Sequence, residues 1–391
     1  MVEFKRHFHS ELLRRLREDL NFMQIILGPR QVGKSTAVLD ICKDLGVDRS
    51  TYATADIPVP PGQNWIRENW HTARAKGKNN VLVLDEVHKI QGWDSEVKIL
   101  FDEERRRKDR LKVILLGSAS WLLQKGLSDS LAGRFEILRA PHWSYRETKQ
   151  HFGWNFISYL KFGGYPSPAN LITDVHRWQS FILDSIIEPI LSRDLLALKD
   201  IAKPALFRQT FELILHYPAQ EISLQKLLGQ LTDSGNSTTI RGYLDLLEAG
   251  FVLKNLHKYS TRPISVKASS PKLIQMCPGL FSAFNDPSKI DKDSEWKGRV
   301  FEATIGSFLT QNFRDVSYWR DGNFEVDFVV NEGSYLFAIE IKSGTSRSNR
   351  GLERFAKQFK KVIPITLNWE AGIKLLESDN PFEFLKSVGA A

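Results

Sequence analysis

The sequence predicts an α/β fold in its first part, followed by a helical region and then by a second α/β region. Two observations indicate the first of these. Continuous apolar runs at Phe22–Leu27, Val81–Leu84 and Val113–Leu116 are typical of strands that helices cover on both faces. Helical stretches such as Gln63–Ala75 and Asp94–Arg107 alternate with these runs, which favours a parallel sheet.

The loop after the first run predicts a phosphate-binding site. Residues 28–36 read GPRQVGKST, which fits G-x-x-x-x-G-K-[ST] between a strand and a helix. Its glycines allow backbone N–H groups to surround a β-phosphate, whereas the alternative is an ordinary glycine-containing turn. We expect Lys34 to reach the β- and γ-phosphate oxygens and Ser35 to ligate Mg²⁺. The predicted ATP-binding residues are Gly28, Pro29, Arg30, Gln31, Val32, Gly33, Lys34, Ser35 and Thr36.

Polar residues follow the next two predicted strands. Asp85 and Glu86 come directly after the second apolar run. An Asp at a strand end can hold Mg²⁺ through water, and the neighbouring Glu can orient or deprotonate the water that attacks the γ-phosphate. The alternative is an acidic pair that only ends a strand. Ser118 follows the third run, where it either contacts the γ-phosphate or serves as an ordinary turn residue.

Arg134 is a candidate for stabilising the transition state. It precedes the strand-like segment Phe135–Leu138 within the sequence LAGRFE. Its guanidinium can neutralise the charge that develops on the γ-phosphate, either within the chain or on a neighbouring subunit. A purely structural arginine is the alternative.

The segments GPRQVGKST, VLVLDEVHK, LLGSAS and LAGRFE resemble the archaeal and bacterial AAA-type ATPases that carry a C-terminal domain of unknown function, DUF4143. Leu160–Pro166, Ile190–Leu195 and Gly322–Phe328 match later parts of the same family, so the resemblance covers nearly the whole chain. It implies an AAA+ P-loop sheet in which the third apolar run lies between the first two. One departure is Met276–Leu280, which reads MCPGL where the family usually has an Asp before the Gly-Leu pair.

We expect three domains, at residues 1–141, 142–262 and 263–391: an AAA-type P-loop domain, a helical lid with a winged helix, and a C-terminal α/β domain. In the middle block Ile222–Leu231 and Ser237–Ala249 resemble a helix-turn-helix, with Ser237 as the N-cap. Phe251–Leu256 would be the wing strand. The second helix has few of the side chains that read DNA bases, so DNA contact and a structural or inter-subunit role are both open.

The third block contains a second group of charged residues, in the strand-like segments Phe324–Val330 and Tyr335–Lys342. Because alternate residues of a strand share a face, Glu340 and Lys342 point the same way. Two adjacent antiparallel strands can set Asp327 against Glu340, so that both carboxylates share Mg²⁺ or Mn²⁺. Lys342 beside the metal can activate water or stabilise the transition state.

Glu302 adds a third carboxylate. The predicted helix Trp296–Asn312 places Glu302 close to an apolar face, where an unpaired carboxylate is costly and where a metal ion or a lysine would relieve that cost. The set resembles the PD-(D/E)xK nuclease core, which implies a restriction-endonuclease-like fold. The alternative is an ion-pair cluster on a strand surface. The residues concerned are the metal ligands Glu302, Asp327 and Glu340 and the catalytic Lys342.

Composition narrows the class of protein. A net charge of +8 over 391 residues indicates contact with a polyanion. No apolar run is long enough to span a bilayer, and the N-terminus lacks the apolar core of a secretion signal, so we expect a cytoplasmic protein. Cys42 and Cys277 stand apart from any Cys/His cluster, and we expect buried thiols. The basic residues that either follow a phosphate backbone or form a solvated face are Arg320, Lys342, Arg347, Arg350, Arg354 and Lys357.

The leading hypothesis is an ATP-hydrolysing AAA ATPase coupled to metal-dependent cleavage of DNA, with DNA and further copies of the chain as partners. One alternative is a regulatory switch, in which the third block only binds DNA or a protein that the sequence does not identify. Another is an ATPase that remodels or moves along DNA without breaking it.

Overall fold

A computed structural model describes residues 4–19, 22–46, 50–77, 80–117, 130–195, 201–232, 235–261, 269–342, 344 and 349–389. The chain divides into two compact units, Met1–His142 (unit 1) and Trp143–Ala391 (unit 2). The division into three domains, with boundaries after residues 141 and 262, stays a prediction.

Unit 1 is built around a parallel sheet. Its strands are β1 (Met23–Leu27), β2 (Ser50–Thr54), β3 (Val81–Asp85), β4 (Lys112–Gly117) and β5 (Phe135–Arg139). Within the described residues the sheet has five strands in the order β2-β3-β4-β1-β5, and each neighbouring pair is parallel. The predicted parallel sheet is confirmed, and β4 lies between β1 and β3 as the resemblance implies.

Helices accompany this sheet. They are α1 (His9–Arg17), α2 (Lys34–Asp44), α3 (Asn64–Ala75) and α4 (Trp93–Arg105). Every residue of β1 and β3 is buried, which explains why their sequences are unbroken apolar runs. The core cluster between α2 and the sheet includes Ile26, Val38 and Ile41. Because the strands are parallel, the C-terminal ends of β1, β3 and β4 lie at one edge of the sheet.

Unit 2 combines a helical part with two small sheets. Its helices are α5 (Tyr145–Phe152), α6 (Phe156–Phe162), α7 (Val175–Ser180), α8 (Pro204–Ile214), α9 (Leu224–Leu228), α10 (Ser237–Ala249), α11 (Gly279–Phe284), α12 (Lys289–Lys292), α13 (Ser294–Asn312), α14 (Arg350–Gln358), α15 (Trp369–Glu377) and α16 (Pro381–Gly389). Two π-helical segments, Phe181–Ile187 and Ile190–Leu195, follow α7. Its strands are β6 (Leu253–Leu256), β7 (Lys272–Gln275), β8 (Val316–Asp321), β9 (Phe324–Glu332), β10 (Tyr335–Lys342) and β11 (Val362–Asn368).

The larger sheet of unit 2 carries the predicted acidic residues. Among the described residues it has four strands in the order β11-β10-β9-β8. β9 is antiparallel to β8 and β10, whereas β10 and β11 are parallel. Along the chain α13 precedes β8, β9 and β10, and α14 connects β10 to β11. Gly306 lets α13 approach β9 closely, because a Cβ at this position would lie 2.7 Å from the Phe328 ring.

The predicted helix-turn-helix segment differs from the structure in three details. Asn236, not Ser237, caps α10, because its side-chain oxygen accepts the Thr239 N–H at 2.8 Å and Ser237 is already helical. The helix α9 is shorter than the predicted one. The strand β6 begins only at Leu253, since Phe251 has a φ of 59°, which lies outside the strand region.

Both cysteines are buried, as the sequence predicts. Burial raises the pKa of Cys42 to about 11 and that of Cys277 to about 12, so both remain thiols near neutral pH. No helix in the described parts of the chain is long and apolar enough to cross a membrane.

Candidate functional site

The P-loop (residues 28–36) joins β1 to α2 and includes the first residues of α2, which is the strand–loop–helix context that the sequence predicts. A Cβ at Gly28 would lie 1.9 Å from the carbonyl oxygen of Ala140. The loop therefore passes directly against the backbone that follows β5, and only glycine fits there. Gly33 has a φ of 82°, a left-handed conformation that glycine adopts at little cost, and α2 begins at the next residue.

Lys34 lies at the start of α2 and is buried inside the P-loop. Its Nζ donates to the carbonyl oxygens of Gly28 at 2.9 Å and Pro29 at 2.6 Å. Burial lowers the pKa of Lys34 to about 8, although the negative charges of Glu86 and Asp85 act in the opposite direction. The ammonium is thus held in a desolvated position, where an anionic ligand interacts with it more strongly than in water.

Ser35 and Asp85 meet at the same edge of the sheet. The Ser35 hydroxyl donates to Asp85 Oδ2 at 2.7 Å, and the Tyr52 hydroxyl donates to the same oxygen. Hydroxyl and carboxylate oxygens are the hard donors that Mg²⁺ prefers, so the residues present fit a magnesium site. The sequence does not single out Tyr52, because the short strand β2 reads STYAT and lacks the continuous apolar run of its neighbours.

Glu86 follows Asp85 in a left-handed backbone conformation, with a φ of 52°. Such a conformation costs a non-glycine residue about 1–3 kcal/mol, so surrounding contacts must hold it. The Glu86 N–H donates to the Leu116 carbonyl at 3.0 Å, and a Glu86 carboxylate oxygen lies 3.3 Å from Nε2 of His88. Ser118, the predicted γ-phosphate contact, lies outside the described residues.

Arg134 lies where the strands of the sheet begin, whereas the P-loop lies where they end. It immediately precedes β5, whose first residue pairs with Met23 at the start of β1, whereas the P-loop follows the other end of β1. Because a strand rises by about 3.3 Å per residue, Arg134 and the start of the P-loop are roughly 20 Å apart. The Arg134 guanidinium instead binds Asp102 on α4, with N–O distances of 2.7 and 2.8 Å, and this hydrogen bonding holds the pKa of Asp102 below its ordinary value.

Two further residues beside the P-loop are not indicated by any sequence pattern. Arg6 is buried and donates to the carbonyl oxygens of Val32 and, at 2.8 Å, Pro141, which joins the loop to the end of unit 1. His142 is also buried. Burial lowers the pKa of His142 to about 3, and the positive charges of Arg6 and Lys34 act in the same direction, so His142 is neutral at ordinary pH.

In unit 2 the predicted acidic residues converge. The β9–β10 pairing ends at Phe328 and Ile339, and Asp327 and Glu340 are the next residues in this register. Asp327 Oδ2 accepts the Ile341 N–H at 2.8 Å, and Lys342 Nζ donates to Glu340 Oε1 at 2.7 Å. Together with Glu302 of α13, Asp327 and Glu340 form what we call the acidic cluster.

Lys272 is a member of this site that sequence reasoning misses. It is the first residue of β7, and its Nζ lies 2.5 Å from Glu302 Oε1 and 3.3 Å from Asp327 Oδ1. Of the two means of relieving Glu302 that the sequence leaves open, a metal ion or a lysine, the structure supplies the lysine. Burial alone would lower the pKa of Lys272, but Glu302 and Asp327 outweigh it and raise the pKa.

The pKa values of two carboxyl groups in the acidic cluster are raised. Burial is the main cause for both Glu302 and Glu340, and the negative charge of Asp327 adds to it. Oε2 of Glu340 is buried and has no hydrogen-bond partner. Within the described residues no group of three or more His, Cys, Asp and Glu side chains is arranged to hold a metal ion. The acidic cluster does not fit a divalent cation in this arrangement, because Lys272 already binds two of its carboxylates.

Three of the basic residues expected along a phosphate backbone are engaged in ion pairs, and one of them is Lys342, which binds Glu340 as described above. Arg320 binds Glu221 and Glu325, both at 2.8 Å, and Arg354 lies 3.2 Å from Asp321. Arg347 lies outside the described residues. A cavity of about 640 Å³ beside the acidic cluster is lined in part by Glu340, Lys342, Arg350 and Arg354.

Comparison with protein families divides the chain into three matched segments. Residues 21–149 match the family model of an AAA domain. Unit 1 therefore carries an AAA-type P-loop domain. Residues 153–293 and 297–389 match the models of two domains of unknown function, DUF8612 and DUF4143. The chain thus joins an AAA domain to a C-terminal DUF4143 domain, as the resemblance implies.

No curated protein matches the chain. Among solved structures, the chain is similar to a Walker-type ATPase of Pyrococcus abyssi, with 13% identity over 72% of this chain and 96% of that one and a TM-score of 0.45. It is also similar to the RuvB Holliday junction branch migration motor of Thermotoga maritima, with 16% identity over 64% and 90% of the two chains and a TM-score of 0.35. These likenesses are too distant to bear on the activity of the AAA domain.

Proposed function

We propose that the AAA domain binds and hydrolyses ATP. The observation that carries this proposal is the convergence of Lys34, Ser35 and Asp85 at one edge of the sheet. The N–H groups of the P-loop surround the triphosphate, and the buried Lys34 ammonium binds its β- and γ-oxygens. In such a desolvated position one fixed positive charge stabilises developing negative charge more than it would in water.

Ser35 and Asp85 would hold Mg²⁺, which neutralises charge on the β- and γ-phosphates when it is bound. Glu86 orients the attacking water or takes a proton from it, and its backbone bond to Leu116 and its contact with His88 support its position. Ser118 is the proposed contact to the γ-phosphate.

We assign Arg134 to the site of a neighbouring copy, so that self-association completes the active site. The position of Arg134 at the other end of the strands supports this assignment. Roughly 20 Å separate it from the P-loop of its own chain, which is farther than its side chain can reach. An arginine that acts in trans requires a head-to-tail arrangement of copies.

For unit 2 the candidate activity is metal-dependent cleavage of DNA. The approach of Asp327, Glu340 and Lys342 on β9 and β10 favours it, as does the helix–strand–strand order that the PD-(D/E)xK resemblance implies. The alternative is a domain that binds DNA or a protein partner without cutting, and the place of Lys272 in the acidic cluster favours that alternative. Supercoiled DNA incubated with Mg²⁺ or Mn²⁺ separates the two candidates. Nicking that Asp327→Ala abolishes supports cleavage, whereas nicking that persists in Asp327→Ala, or no nicking with either metal, removes the assignment of cleavage.

A substitution at Glu86 tests the hydrolysis proposal. Glu86→Gln keeps the shape of the side chain and removes its ability to take a proton, so we expect this variant to bind ATP but to release phosphate at least about a hundredfold more slowly. The exposed Glu68→Gln on α3 serves as the control and should hydrolyse ATP like the unmodified chain. Unchanged turnover in Glu86→Gln would contradict the role given to Glu86.

A further inference from the structure

Lys272 belongs neither to the sheet that carries Asp327 and Glu340 nor to the helix α13 that carries Glu302. It belongs to the small β6–β7 sheet, where it pairs with Leu256, and it forms an isolated bridge with Glu221 on its other side. Lys272 lies in the segment matched by DUF8612, whereas Glu302, Asp327 and Glu340 lie in the segment matched by DUF4143. One matched segment therefore supplies a cation to the carboxylates of the next.

The Lys272 ammonium is surrounded by acceptor oxygens and an aromatic ring. Beside its contacts with Glu302 and Asp327 side chains, Nζ donates to the Asp327 carbonyl oxygen at 3.3 Å. It also lies 4.8 Å from the centroid of the Phe328 ring, a distance at which an aromatic face attracts a cation. The whole residue is only 6% exposed. An ammonium has three N–H groups, and three acceptor oxygens lie within 3.3 Å of Nζ.

The charges of the site leave no need for a divalent ion. When ionised, Glu302, Asp327 and Glu340 carry three negative charges, and Lys272 and Lys342 balance two of them. The remaining charge is a single negative one. A divalent cation would leave the site positively charged. Without the Lys272 charge, the same site would have a double negative charge, which one divalent cation neutralises.

We infer that Lys272 is the resident cation of the acidic cluster, and that unit 2 takes no divalent metal ion there while Lys272 remains in place. The position of its ammonium between Glu302 and Asp327 carries this inference. A metal ion bound to the same two carboxylates would need oxygens within about 2.0–2.6 Å, and one oxygen of each, Glu302 Oε1 and Asp327 Oδ1, already binds the ammonium. The inference does not depend on ATP hydrolysis by the AAA domain, and it assigns unit 2 to binding rather than to metal-dependent cutting.

The test is a Mn²⁺ titration of the full chain, followed by the electron paramagnetic resonance signal of free Mn²⁺. Lys272→Met keeps the length and apolar stem of the side chain and removes its charge, so we expect it to gain about one Mn²⁺ site per chain. Adding Asp327→Asn to Lys272→Met should remove the gained site. Lys254→Met is the matched control, because Lys254 lies on the adjacent strand β6 and binds only Glu248 at the surface; it should gain none.

The unmodified chain provides a second measurement that does not depend on the folding of Lys272→Met. Its Mn²⁺ uptake should equal that of the single variant Asp327→Asn, since no metal ion binds at Asp327 in either. Uptake that Asp327→Asn lowers by one ion per chain would overturn the inference. A folded Lys272→Met variant that gains no Mn²⁺ site would overturn it too, because the charge of Lys272 would then not be what excludes the metal ion.

Discussion

Replacing Arg134 with alanine separates a structural arginine from one that serves a neighbouring copy. In the chain the guanidinium makes two hydrogen bonds to Asp102, at 2.7 and 2.8 Å, and one to the Ala132 carbonyl at 3.1 Å. The side chains of Arg134 and Asp102 are 21% and 32% exposed. Water screens such a pair, so its loss lowers the free energy of unfolding by about 1 kcal/mol or less. This is small beside the ~5–15 kcal/mol that stabilises a typical domain.

The catalytic effect of Arg134→Ala should be much larger than this loss of stability. An arginine that neutralises transition-state charge contributes roughly 10³-fold or more to the rate of phosphoryl transfer. Asp102→Ala is the matched control, because it breaks the same ion pair and keeps the guanidinium. We expect Arg134→Ala to lose ATP turnover and Asp102→Ala to retain most of it, as measured by phosphate release at saturating ATP. Thermal unfolding of each variant should confirm that both are folded.

Mixing two inactive variants tests the role in trans directly. Lys34→Ala chains lack a working P-loop, and Arg134→Ala chains lack the arginine. In an equimolar mixture, about one junction in four of a head-to-tail ring joins an intact Lys34 to a neighbour with an intact Arg134, so about a quarter of the normal turnover should return. No recovery in the mixture, or equal loss of turnover in Arg134→Ala and Asp102→Ala, would refute this assignment of Arg134.

Three further predictions follow from the packing and the pKa shifts. Gly28→Ala should lower the free energy of unfolding by about 1–3 kcal/mol or more and abolish nucleotide retention, because the added Cβ would meet the Ala140 carbonyl. The control Gly62→Ala should change neither quantity, because a Cβ at Gly62 would meet no other atom. Burial lowers the pKa of His142, so below pH 6.5 the unfolded chain binds more protons than the folded chain. The free energy of unfolding should therefore fall with acidification by up to about 1.4 kcal/mol per pH unit. His142→Gln should reduce this pH dependence in urea titrations at pH 7 and pH 5. Gly306→Ala should cost about 1–3 kcal/mol in thermal or urea unfolding, because its Cβ would push α13 away from Phe328; an equal loss in the unobstructed variant Gly344→Ala would contradict this.

Much of the ATP site could be predicted from the sequence because its components are local. The P-loop lies between neighbouring elements, and Asp85 ends an apolar run that forms a fully buried strand. The contacts that fix these residues in space are not local. Tyr52 reaches Asp85 from the neighbouring strand β2, and Arg6 reaches Val32 from before α1, so no sequence pattern indicates either of them.

In the acidic cluster, too, the sequence predicts the residues that lie within neighbouring elements and misses the contact that comes from a distant one. Alternation along β9 and β10 correctly places Asp327 near Glu340, and the apolar face of α13 correctly identifies Glu302 as a carboxylate in need of a partner. The partner itself could not be identified from the sequence. Lys272 begins a strand of only four residues, KLIQ, and its approach to Glu302 depends on how β7 packs against α13. Either a metal ion or a lysine could neutralise Glu302, and the sequence does not distinguish them because the choice depends on this packing.

The most direct test of the account is the retention and turnover of labelled ATP by the unmodified chain and by Lys34→Ala, in the presence of Mg²⁺. We expect the unmodified chain to bind the nucleotide and release phosphate, and we expect Lys34→Ala to do neither above background, since the buried ammonium is the charge that the P-loop offers to the triphosphate. A chain that fails to retain ATP, or that hydrolyses it equally fast without the Lys34 ammonium, would contradict the proposed function of the AAA domain.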